Sequence, residues 1–87
     1  MPFDSSSRYR LDSNVALRPE PFGALAYHYG SRRLTFLRSP LLVDVVRGLG
    51  DYDSIDAALE ERVPSPERDR YRRALARLAS SEFIRAC

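Results

Sequence analysis

With 87 residues, 44% of them hydrophobic and 30% charged, the chain can build one small core and has no room for a second domain. A formal net charge of +2 falls well short of a surface made to neutralise many phosphates. The lone cysteine, Cys87, excludes an intrachain disulfide and lacks the companion ligands of a zinc site; it reads as an inert terminal thiol, and a reducing cytoplasm fits.

Residues 1–8 are Ser-rich and read as a frayed tail, so the domain is expected to span residues 9–87. The opening residues lack the apolar stretch of a secretion signal, and no apolar run approaches the roughly 18 residues needed to cross a bilayer. Tyr9 and Leu11 begin to touch the core. Val15–Arg18 alternates apolar and polar residues and predicts a first strand. Two prolines in Pro19–Gly23 rule out a central strand there, and the run reads as a turn that carries Phe22 back onto the core. Ala24–Tyr29 predicts a second strand, with Leu25, Tyr27 and Tyr29 on one face and Ala24, Ala26 and His28 on the other. Gly30-Ser31 supplies a hairpin turn, with glycine available for positive φ. Arg33–Leu37 is the third strand. Hairpin order places the second strand in the middle and leaves the third with an unpaired edge.

Ser39-Pro40 is a cap-then-proline start for a first helix, on which Leu41, Leu42, Val45, Val46 and Leu49 repeat at helical spacing until Gly48 and Gly50 end it. Asp53 or Ser54 caps a second helix, which buries Ile55, Ala58 and Leu59 and stops at Pro64. Ser65-Pro66 opens a third, with Tyr71, Ala74, Leu75, Leu78 and Ala79 in one apolar stripe that ends at Ser80-Ser81. Phe83 and Ile84 return as a short extended segment over the core. The fold class is therefore α+β: a three-stranded antiparallel sheet followed by three helices, in winged-helix-like order.

No catalytic constellation is legible. His28 and Cys87 are far apart, no cluster of ligands marks a metal site, and no Gly-rich loop cradles a phosphate, so neither an enzyme nor a cofactor is expected. His28 reads as a partly exposed sheet residue. Asp51, Asp53, Asp56, Glu60 and Glu61 read as a solvated face and as partners of the second helix's dipole. Every basic residue is Arg, which reads first as codon bias and second as a surface for bidentate carboxylate recognition.

Two binding readings remain. A winged-helix DNA reader needs a basic recognition helix, yet the second helix is acidic, and Arg68, Arg70, Arg72, Arg73 and Arg77 surround the third helix's apolar stripe without forming one phosphate-facing row. The stronger reading is β-augmentation: an extended peptide satisfies the unpaired backbone groups of Arg33, Leu34, Thr35, Phe36 and Leu37. If the third helix lies beside that edge, Tyr71, Ala74, Leu75 and Leu78 line an apolar groove with Arg70, Arg73 and Arg77 as its charged rim. The alternative for Tyr71, Leu75 and Leu78 is ordinary core.

The run Val15-Ala16-Leu17-Arg18-Pro19-Glu20-Pro21-Phe22-Gly23-Ala24, then Tyr27, then Leu34-Thr35-Phe36-Leu37, resembles the peptide chaperones of mycofactocin biosynthesis. These belong with the pyrroloquinoline quinone precursor chaperones among the RiPP recognition elements, RiPPs being ribosomally made, post-translationally modified peptides. The resemblance covers nearly the whole chain, and the Arg-Pro-Glu-Pro-Phe-Gly run is its most specific part. It implies a non-catalytic cytoplasmic adaptor that binds the leader of a precursor peptide as an added strand beside the third strand, against the third helix. It further implies that the adaptor presents the peptide to a radical S-adenosylmethionine (SAM) maturase.

Overall fold

The computed structural model describes residues 3–87. Four strands lead, β1 (Tyr9–Leu11), β2 (Val15–Glu20), β3 (Gly23–His28) and β4 (Arg33–Leu37). Three helices follow, α1 (Pro40–Gly48), α2 (Ile55–Arg62) and α3 (Arg68–Ser80), and β5 (Ile84–Ala86) closes the chain. β2, β3 and β4 form one antiparallel sheet in that order, while β1 and β5 pair in a second, two-stranded sheet. The architecture is α+β, with which the winged-helix-like description is compatible.

The central strand places its smallest residues inward. Ala24 and Ala26 are fully buried, which lets α1 approach the sheet closely, and Leu37 closes the layer from β4. The rest of the core comes from one stripe of each helix: Val45 and Val46 of α1, Ile55, Ala58 and Leu59 of α2, and Tyr71, Leu75 and Leu78 of α3. Ser39 caps α1 by accepting the Leu42 N–H at 3.2 Å, with Pro40 at the first helical position. Ser54 caps α2 in the same way through the Ala57 N–H at 3.0 Å. Ser65–Glu67 forms a 3₁₀ turn, so α3 proper begins at Arg68. The Arg68 guanidinium donates to the carbonyls of Leu59, Glu60 and Val63, closing the C-terminal end of α2 with a positive charge.

Several expectations need correction. Residues 3–8 of the Ser-rich start are not a frayed end: the Ser7 and Ser5 carbonyls accept the N–H groups of Ile55 and Asp56 at the open first turn of α2. Met1 and Pro2 lie outside the described residues. Asp4 closes the small turn that makes this docking, and hydrogen bonds from the Ser6 side chain and N–H hold its carboxyl below the usual range. Tyr9–Leu11 is a strand, because the C-terminal return supplies it with a partner. β2 runs on through Pro19 to Glu20. The turn that follows leaves Phe22 40% exposed, packed edge-on against Phe36 on the outer face and not on the core. In the β3–β4 turn it is Arg32 that takes positive φ, at 60°, and not Gly30. His28 is buried: its Nδ1 accepts the Ser31 N–H at 3.1 Å, and its ring packs edge-on against Phe83.

Candidate functional site

The pairing register decides which way each backbone group of the sheet points. The Tyr29 N–H donates to the Asn14 carbonyl at 2.8 Å, so Asn14 and Tyr29 are a hydrogen-bonded pair. In an antiparallel ladder such pairs alternate. Asn14, Ala16, Arg18 and Glu20 therefore face β3, and Val15, Leu17 and Pro19 face away from it. On β3 the odd positions are taken by β2, so Ala24, Ala26 and His28 bond toward β4. Their partners Leu37, Thr35 and Arg33 are consequently used up, and the N–H and C=O groups of Leu34 and Phe36 point outward.

Among the described residues neither outer edge of the sheet is paired with a further strand, and only one edge is suited to a new one. On β2 the outward positions include Pro19, which has no N–H to offer. On β4 no proline intervenes, and Leu34 and Phe36 present complete donor–acceptor pairs. Beside that edge, on the inner side of the sheet, a groove of about 250 Å³ runs between β4 and α3. Thr35 and Leu37 from β4, Ala74, Arg77 and Leu78 from α3, and Leu42 from α1 wall it, with Phe36 at the rim and Ser81 at its end.

The structure thus brings together Thr35, Phe36, Leu37, Ala74, Arg77 and Leu78 of the residues singled out from sequence. It does not bring in the others. Tyr71 and Leu75 are core, at 7% and 0% exposure, and the Tyr71 hydroxyl lies 2.9 Å from the Ser39 hydroxyl, tying α3 to the start of α1. Arg70 turns back onto Glu67 and lies over the Tyr71 ring. Arg33 and Arg73 are exposed and line no part of the groove. Leu34 contributes its backbone to the edge while its side chain stands on the opposite face. Leu42 and Ser81 were missed: the first belongs to α1's apolar repeat and reads as core, and the second reads only as a helix stop.

The cations nearest the groove differ in how committed they are. Arg72 is held by Asp56 and Asp69 at 3.0 and 2.5 Å, Arg68 by the α2 carbonyls, and Arg70 by Glu67. Arg73 and Arg77 have no ion-pair partner among the described residues, and Arg77 stands at the groove. A larger hollow, of about 690 Å³, lies where β1 and β5 meet α3, next to His28 and Asp12. There the Asp12 carboxylate accepts the Asn14 N–H at 2.8 Å, with Arg85 at 3.4 Å and His28 Nε2 at 4.0 Å. Those groups answer one another. Among the described residues no group of His, Cys, Asp or Glu is gathered to hold a metal ion, and no helix is long and apolar enough to cross a membrane.

A small α+β domain with a strand edge that no described residue occupies, beside a helix-walled groove, has the parts that a peptide-binding module uses. The chain belongs to the Peptide chaperone MftB family, whose model matches residues 8–85. It is 43% identical over 83 residues to a Peptide chaperone MftB of Mycobacterium tuberculosis, covering 94% of this chain and 76% of that relative. Proteins of the same description from Mycobacterium ulcerans and Mycolicibacterium smegmatis are 42% and 41% identical over the same length, with 76% and 81% of their chains covered. No solved structure matches the chain.

Proposed function

We propose that this peptide chaperone takes the leader of a ribosomally made precursor peptide as a fourth strand on β4, and hands the rest of that peptide to a radical SAM maturase in mycofactocin biosynthesis. The observation that carries the reading is the asymmetry of the two sheet edges: β2 is blunted by Pro19, while β4 offers Leu34 and Phe36 next to a groove. Backbone bonds to Leu34 and Phe36 supply affinity without sequence preference. Alternate side chains of the leader enter the groove against Thr35, Leu37, Leu42, Ala74 and Leu78 and set the register. Arg77 at the groove mouth suits a leader carrying carboxylates. Tethering the leader raises the effective concentration of the remaining peptide at the enzyme. The chain works in the cytoplasm, where such peptides are made.

DNA binding is the weaker alternative, because Arg68, Arg70 and Arg72 are tied to carbonyls and carboxylates and leave α3 too few cations for a phosphate row. The test is calorimetric titration of the purified chain with the leader of a mycofactocin precursor peptide. Ordering a flexible leader limits the net affinity, so a Kd of ~0.1–1 μM is expected. No binding at 100-fold higher concentration would refute the proposal.

A further inference from the structure

We infer that the outer face of the β2–β3–β4 sheet is a second docking surface, filled by the maturase and not by the peptide; the inference rests on the adaptor reading above. A sheet with one solvated face normally turns its apolar residues inward and its polar residues out. Here β3 and β4 carry large apolar residues outward as well, although Leu37 is buried on the inner face. The large side chains of Leu25, Tyr27, Leu34 and Phe36 point away from the core, and the small Ala24 and Ala26 point into it. Tyr29 packs edge-on against Tyr27 with ring centroids 4.9 Å apart, and Phe22 against Phe36 at 5.7 Å. Leu25 and Phe36 are opposite in register, as are Tyr27 and Leu34, so the six side chains form one continuous patch. Its outermost members, Tyr29, Leu34, Phe36 and Phe22, are 62%, 59%, 55% and 40% exposed. They are the exposed large hydrophobics of the described residues, and all stand on this one face. Such clustering marks an interaction surface.

The geometry separates its occupant from the leader. A peptide added to β4 lies in the plane of the sheet and cannot cover the face, so both surfaces can be filled together. The leader's outward side chains would then widen the patch on the β4 side. The border is cationic: Arg38 lies over the Phe36 ring at 5.5 Å, and the turn at the sheet end carries Arg32. The partner that fits is a protein surface with an apolar centre and a carboxylate border. A second copy of this chain fits badly, because it brings the same cationic border to the contact and no carboxylate one.

The test is a titration of the purified radical SAM enzyme against the full, leader-bound chain, as wild type and as the Phe22→Ser/Tyr29→Ser double variant. Neither residue offers a backbone group to the leader or lines the groove; Phe22 meets that edge only through its ring contact with Phe36. The expected result is a ~10- to 100-fold loss of enzyme affinity with leader affinity changed by less than about twofold. Unchanged enzyme affinity overturns the inference, and so does a wild-type dimer that the variant converts to monomers. Failure of the wild type to bind leader at all overturns the adaptor reading instead. Arg38→Glu keeps the test decisive if the double variant does not fold: enzyme binding weakened by ~5-fold or more at low salt supports the carboxylate border, and unchanged binding contradicts it.

Discussion

A proline pair on β4 separates an edge that recruits a strand from one that is merely exposed. The Leu34 N–H points away from β3, so Leu34→Pro removes a donor the folded chain does not use. The peptide carbonyl that would have met it loses its partner at a half-wet edge, which costs about 1–2 kcal/mol, or roughly 5- to 30-fold in Kd. Thr35 lies one residue on and is opposite in effect. Its N–H bonds to Ala26, which is 1% exposed, so Thr35→Pro strands a buried carbonyl and costs about 2–3 kcal/mol of stability. At about 4–8 °C per kcal/mol this lowers Tm by roughly 8–24 °C. The assays are calorimetric titration with leader and a thermal melt, with Leu34→Ala as the control for the lost side chain. Leu34→Pro should bind weakly and melt like Leu34→Ala, whereas Thr35→Pro should melt early. Leu34→Pro with the full affinity of Leu34→Ala, or a reversal of the two melting effects, would refute the assignment of outward groups.

Four further outcomes are expected. Ala74→Phe fills the groove beside α3 and should abolish measurable leader binding with the far-ultraviolet circular dichroism unchanged. Arg77→Ala should weaken leader binding by roughly 2- to 5-fold in low salt, and the difference should shrink toward nothing near 1 M salt. Tyr71→Phe removes the hydroxyl contact to Ser39 and should cost about 1 kcal/mol in a denaturant titration while leaving leader affinity unchanged, since Tyr71 is core. Gly23→Ala places a Cβ on a backbone at φ 147° that collides with the Leu37 carbonyl oxygen, and should cost about 3 kcal/mol or more in the same titration.

The element order was legible because its signals are local. Ser39-Pro40 and Ser54 are caps whose hydrogen bonds form within one turn, and the alternation in Arg33–Leu37 gives a strand wherever a partner exists. The free edge of β4 was likewise readable from hairpin order. What escaped depends on distant partners. Tyr9–Leu11 becomes a strand only because Ile84–Ala86 arrives from the far end of the chain, and Ser5 and Ser7 are ordered only because α2 begins beside them. The inside and outside of the sheet were also hidden. Alternation separates Ala24, Ala26 and His28 from Leu25, Tyr27 and Tyr29, but hydrophobicity alone does not say that the alanine face is the buried one. That was fixed by α1, which needs small residues beneath it. On α3 the apolar stripe was found correctly, yet Tyr71 and Leu75, which serve the core alone, and Ala74 and Leu78, which also wall the groove, lie only one helical step apart.

The central claim is tested most directly by amide hydrogen exchange, read residue by residue by NMR with and without the leader. In the free chain the Leu34 and Phe36 amides should exchange fast while Thr35 is protected by its bond to Ala26. With saturating leader the Leu34 and Phe36 amides should slow by at least about tenfold, and the Val15 and Leu17 amides on the opposite edge should not change. Leu34 and Phe36 amides that stay fast under a leader that is demonstrably bound would contradict strand addition on β4.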